Sequence, residues 1–143
     1  MTLRFDEDIV LAKVATVRRC VGAIRKLWFD HDPPVPAWVR LDVTVLNLQR
    51  AVEACLDMAN HLIALNSWGL PGSVVEAMQL LADNHIVPAT GIQAYRGMIG
   101  FRNIAVHNYR EIDESIVRGI VQDHLDDLER FAASVLEATA RHG

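Results

Sequence analysis

Cysteine is close to missing from this sequence. The two thiols, Cys20 and Cys55, stand in no metal-binding or redox spacing. A disulfide framework needs more cysteines and an oxidising compartment. Both therefore read as small apolar side chains of a reduced protein. Long apolar runs are missing too, since none approaches the roughly 18 residues of a membrane span. Arg4, Asp6, Glu7, Asp8 and Lys13 crowd the N-terminus and leave no room for a signal-peptide core. From these absences the chain is expected to be cytoplasmic, away from membranes. Internal repeats, low-complexity tracts and strand-like alternation are also lacking, which leaves helices as the way to build a core. Positive charge is in deficit: 14 Lys and Arg face 18 Asp and Glu, for a net charge of −4. Nucleic-acid binding by bulk charge is thereby excluded, and any RNA contact has to come from a local patch.

What is present is enough for one domain over residues 1–143. The chain is 51% hydrophobic and 22% charged, the balance of a globular protein with a sizeable core. Val10, Val14, Val17, Val21, Ile24 and Trp28 alternate steps of four and three, the seam of a helix in an antiparallel bundle. Arg18, Arg19, Arg25 and Lys26 make its C-terminal half basic; this suits the negative end of the helix dipole, with a phosphate patch as the other reading. Asp30 to Pro36 breaks the helix. A second, long helix repeats the spacing through Leu41, Val45, Leu48, Val52, Cys55, Ala59 and Leu62. Beside that seam run Gln49, Glu53, Asp57, Asn60 and His61. Asp57 and His61 sit at metal-ligand spacing but lack further ligands, so no metal site is expected there.

Asn66 to Gly72 is a turn-rich loop, and Ser73 with Glu76 forms a capping box that opens a short helix through Leu81. After a connection from Asn84 to Ala89, Thr90 and Gln93 repeat the capping-box spacing and open a fourth helix. Inside it, Gly97 and Gly100 remove side chains three apart, which permits either tight packing within the bundle or a close subunit contact. That helix is expected to end near Asn108. Asp113 caps a last helix whose seam runs from Ile116 and Val117 to Val135 and Leu136, with Asp123, Asp126, Asp127 and Glu129 on its outer face. The expected fold is all-α, an up-and-down bundle of five helices.

The fourth helix carries the chemistry. Pro88, Ile92, Tyr95, Ile99, Arg102, Val106 and Tyr109 form one stripe, apolar except where Arg102 interrupts it. A guanidinium on a core-facing stripe is costly unless it is paired or faces a wet cleft. Glu53 is a plausible partner for it. His107 follows five residues later, about 140° round the helix, and Asn103, four before His107, is placed to orient its ring. Metal-free cleavage of an RNA phosphodiester needs a base for the 2′-OH, an acid for the leaving 5′-oxygen and a cation for the phosphorane. Arg102 supplies the cation, and an imidazole with an ordinary pKa of about 6.5 serves as base or acid. One histidine cannot fill both proton roles in the same instant. A two-fold dimer with two motifs on one cleft resolves that.

The segment Met98-Ile99-Gly100-Phe101-Arg102-Asn103-Ile104-Ala105-Val106-His107-Asn108-Tyr109 resembles the signature of the HepT-like branch of the HEPN superfamily: Arg, a polar residue, three more residues, His, any residue, Tyr. Leu46 to Asp57 is similar to that family's second helix, so the likeness spans most of the chain. The resemblance implies the toxin of a toxin–antitoxin pair, a metal-independent endoribonuclease that works as a homodimer without a cofactor. Arg102 and His107 would be catalytic, with Asn103 and Glu53 supporting them. The implied partner is an MntA-like nucleotidyltransferase antitoxin that silences the toxin by adenylylating Tyr109. Phosphates added beside Arg102 would occupy the cation and repel an RNA backbone. Two rivals remain. One is a non-catalytic helical module that binds a nucleotide or a nucleotidyltransferase. The other is an interaction bundle in which Arg102 merely pairs with Glu53.

Overall fold

The computed structural model describes residues 2–30, 35–107 and 112–142, and for Ile104, Val106, His107 and His142 the backbone alone. Six α-helices follow one another: α1 (Glu7–Phe29), α2 (Ala37–Asn66), α3 (Val74–Asp83), α4 (Ile92–His107), α5 (Glu114–Asp123) and α6 (Leu125–His142). A single 3-10 turn, Ala89–Gly91, leads into α4. No strand occurs among the described residues, and none of their helices is long and apolar enough to cross a membrane.

Local chemistry explains most of the boundaries. Asp6 accepts from the Ile9 N–H and starts α1. Ser73 Oγ accepts from the Glu76 N–H at 3.1 Å, while the Glu76 carboxylate reaches back to the Gly72 N–H at 2.5 Å. The capping box at α3 thus forms, its return bond falling one residue earlier than the usual pattern. Asp113 accepts from the Ser115 N–H at 2.8 Å and opens α5. That hydrogen bond holds the Asp113 carboxyl below its ordinary pKa. Thr90, expected to cap α4, lies instead inside the 3-10 turn behind Pro88. Proline pre-sets the backbone for such a turn and removes the need for a side-chain cap.

The core is built on the expected seams. Val10, Val14, Val17, Val21 and Ile24 of α1 are buried, as are Val45, Leu48, Val52, Cys55, Ala59 and Leu62 of α2. Each large side chain so removed from water stabilises the fold by about 1.5–3 kcal/mol. The second helix packs against all five others and is the axis of the bundle. At its far end, Asn66 exchanges hydrogen bonds with the backbone of Arg4, which ties the N-terminal segment down.

The expected last helix is two helices, so the described residues form six α-helices in place of five. His124 breaks the run with φ −125° and ψ −1°, and its ring bonds Asp127 Oδ2 at 2.9 Å. Asp126 and Asp127, read from sequence as part of an acidic outer face, form the first turn of α6. Negative charge there complements the positive end of a new helix dipole.

Candidate nuclease site at the seam of α2 and α4

Tyr95 and Ile99 on the Arg102 stripe are buried, so the arginine does leave a core face. Tyr95 meets Phe131 of α6 edge to face, with ring centroids 5.2 Å apart. Burial pushes the Tyr95 hydroxyl up to about 12, with the Cys55 and Asp127 charges adding to it. One turn further on, the core opens at its edge. Arg102 keeps 29% of its side chain exposed, and its Nε stands 3.4 Å from Glu53 Oε1 on α2. That Nε is buried and makes no hydrogen bond. The pair therefore attracts at ion-pair distance without the N–H aligning on the carboxylate. Arg102 Nη1 donates to Asn103 Oδ1 at 3.0 Å.

Asn103 touches Arg102, its immediate neighbour; its expected contact with the His107 ring falls outside the described residues. His107 is the last residue of α4, five residues beyond Arg102, and its side chain lies outside the described residues. So does Tyr109, together with Asn108 and residues 110–111. Glu53, Arg102 and Asn103 are thus gathered at one seam, and the backbone of His107 ends the same helix.

The neighbouring polar residues of α2 have other duties. Lys13 on α1 donates to Asp57 Oδ2 at 2.8 Å, and His61 Nε2 accepts from the Asp6 N–H at 2.9 Å. Both tie α1 to α2. Among the described residues, no group of three His, Cys, Asp or Glu is placed to hold a metal. The thiols of Cys20 and Cys55 are buried and free, and burial pushes both up from their ordinary pKa.

A Cβ at Gly97 or Gly100 would meet nothing within 4 Å among the described residues, so no described neighbour packs closely on either glycine. They line an open cleft of about 420 Å³ between α4 and α5, with Phe101, Ile112 and Ile116 among its apolar walls.

Residues 36–135 match the family model described as ribonuclease HepT-like. The chain belongs to that family. The likeness read from the Arg102–Tyr109 segment is therefore borne out, and membership places the chain among RNases. It is 39% identical to the mRNA nuclease HepT of Shewanella oneidensis over 124 residues, which span 87% of this chain and 93% of that protein. A solved toxin–antitoxin structure with AMP-PNP matches at TM-score 0.82 and 36% identity, over 92% of this chain and 99% of its counterpart. The tri-AMPylated Shewanella oneidensis HEPN toxin in complex with MNT antitoxin matches at TM-score 0.82 and 36% identity over the same shares. The cytosolic protein YutE of Bacillus subtilis, of unknown function, has TM-score 0.83 at 16% identity over 99% of this chain and 94% of its own. That likeness concerns the fold alone.

Proposed function

We propose that this chain is the toxin of a toxin–antitoxin pair, an endoribonuclease that cleaves messenger RNA without a metal through Arg102 and His107. The observation that carries the reading is the state of Arg102. Its guanidinium sits at the edge of the core with one misaligned carboxylate at 3.4 Å and a buried Nε that makes no hydrogen bond. The exposed part of the guanidinium, which Glu53 does not occupy, is where a phosphate oxygen would be met. In this reading Glu53 and Asn103 hold the fork in place, and Arg102 stabilises the charge that develops on the phosphorane. His107 takes the proton of the 2′-OH, which attacks the adjacent phosphorus. The bond to the 5′-oxygen breaks, that oxygen is protonated as it leaves, and a 2′,3′-cyclic phosphate remains.

The second proton role falls to the same residue of a second copy, so the working form is a homodimer. The glycine-lined cleft of α4 and α5, where no described residue comes within 4 Å of a Cβ placed at Gly97 or Gly100, supports that arrangement. The partner is an MntA-like nucleotidyltransferase antitoxin, which transfers AMP to Tyr109; the adenylyl phosphates then compete with RNA for Arg102. The protein acts in the cytoplasm, where messenger RNA and ATP are both present.

Substituting His107→Ala or Arg102→Ala should each lower RNA cleavage by about 10²–10³-fold and abolish toxicity, with the dimer still folded by circular dichroism and sedimentation. Native-rate cleavage by the His107 variant would overturn the mechanism. A monomeric but fully active wild type would remove the paired cleft. The ion pair with Glu53 keeps a second reading in play, a helical module that binds a nucleotide or nucleotidyltransferase without cleaving. Harmless expression and an intact RNA panel would favour it. Intact mass, measured with and without the coexpressed nucleotidyltransferase, should rise by whole AMP units; an unchanged mass would count against the adenylylation step.

A further inference from the structure

An acidic chain that cleaves RNA needs a local place to hold it, and Arg102 by itself is one phosphate contact. The end of the bundle where α1 meets α2 offers a second. Trp28 there is half-buried, and its Nε1 donates to Thr44 Oγ1 at 2.8 Å. That hydroxyl in turn donates to the Arg40 carbonyl at 2.6 Å. The indole is therefore fixed in orientation. Over it stand two guanidinium groups from different helices, Arg40 of α2 at 4.3 Å and Arg118 of α5 at 5.6 Å from the ring centroid. Arg40 is in no ion pair among the described residues, and Arg118 has one long contact, to Glu114 at 3.5 Å. Stacking on a ring uses the face of a guanidinium and leaves its N–H donors, which lie in its plane, free for an anion. Two further exposed rings belong to the same ends of these helices: Phe29, the last residue of α1, is 61% exposed and Trp38 in the first turn of α2 is 68% exposed.

Large exposed aromatic rings on helix ends that also carry stacked arginines are costly for a surface that touches only water, and they match what an unpaired nucleic-acid strand requires. Bases stack on rings whatever their sequence, while phosphates meet the cations. A duplex would not reach those rings with its bases. We propose that this end of the α1–α2 hairpin is a landing surface for single-stranded RNA, with Trp38 and Phe29 as base platforms and Arg40 and Arg118 as phosphate contacts. It rests on the nuclease reading above and deepens it. Arg40 precedes Glu53 by thirteen residues of one helix, about 20 Å along its axis at 1.5 Å per residue. Only an RNA of several nucleotides can touch both places, so the surface selects length and unpaired state.

The test uses full-length protein in two substrate sizes. A Phe29→Ala/Trp38→Ala double variant and an Arg40→Gln/Arg118→Gln double variant are assayed on a single-stranded 20-mer and on a dinucleotide. For the 20-mer, KM should rise about ten-fold or more in the aromatic variant, since each stacked base contributes about 1–3 kcal/mol. Cleavage of the dinucleotide should stay unchanged, which also shows that the variants fold. In the arginine variant the slope of log affinity against log salt should become shallower by about 0.7 per lost phosphate contact. Unchanged KM and salt slope for the 20-mer, with wild type active, would overturn the landing surface and leave the nuclease reading standing. Loss of antitoxin binding with RNA affinity intact would also overturn it, as the patch would then be a protein interface. A wild type that cleaves neither substrate would instead sink the nuclease reading.

Discussion

Two arginines, each at a seam between helices, meet opposite fates. Arg25 of α1 faces α6 and is saturated: Nη1 bonds Glu129 Oε1 at 2.6 Å and Nη2 bonds Asp126. Arg102 of α4 faces α2 and has one carboxylate, at 3.4 Å and out of line. The first guanidinium has two negative charges directed at its N–H edges and closes the seam. The second is anchored by that carboxylate and by Asn103 Oδ1, and its Nε makes no hydrogen bond among the described residues. Exposure separates the two only slightly, at 37% for Arg25 against 29% for Arg102. The number and aim of the carboxylates decide. An ion pair that completes the cation is structural; one that merely steadies it is what the proposed anion site requires.

The sharpest way to break this contrast is to exchange the charges of the second pair. Arg102→Glu combined with Glu53→Arg should fold with a stability within about 1 kcal/mol of wild type, because partly exposed pairs contribute little. RNA cleavage should stay at least about 10²-fold down. Recovery of cleavage in the exchanged protein, followed with a fluorogenic RNA, would mean that the open edge of Arg102 is not used.

The sealed part of α4 gives a second probe. Tyr95 has its hydroxyl pushed up to about 12 by burial, against an ordinary value of about 10. A raised folded-state pKa contributes stability that is present below pH 10 and lost as pH rises towards 12. Denaturant midpoints should therefore fall across that window, by an amount of order 2–3 kcal/mol in unfolding free energy at most. Tyr95→Phe should flatten the decline. A flat profile in wild type would show that α4 is no more closed at Tyr95 than at Arg102.

The smallest effect belongs to the saturated arginine. Arg25→Ala should lower stability by about 0–1 kcal/mol and leave RNA cleavage untouched. A loss of cleavage on the scale of the Arg102 variant would erase the distinction between the seams.

The chain's residues by themselves dictate a good deal of this molecule. Four-three spacing sends Val10 through Ile24 and Val45 through Leu62 inward, because a helix of 3.6 residues per turn has one face to bury. Ser73 and Asp113 start their helices through bonds to residues two and three positions on; such short reach is visible in one dimension. The partnership of Arg102 with Glu53 follows as well, since an arginine on an apolar stripe demands an acid at the border of the facing seam.

Tertiary structure alone decided the rest. The break at His124 carries no proline or glycine, and its acids suit an exposed face as well as a helix start. Asp57 and His61 look like ligands in sequence, yet Lys13 and the Asp6 N–H claim them from another helix. Gly97 and Gly100 permit close approach, and only the packing shows that the described residues leave them open. Trp28, Arg40 and Arg118 share no period and no motif; three helices bring them into one stack. Periodicity reports which face a residue takes, because that is a property of the local backbone. Which charges end up neutralised depends on partners far along the chain, and those are chosen only when the helices pack.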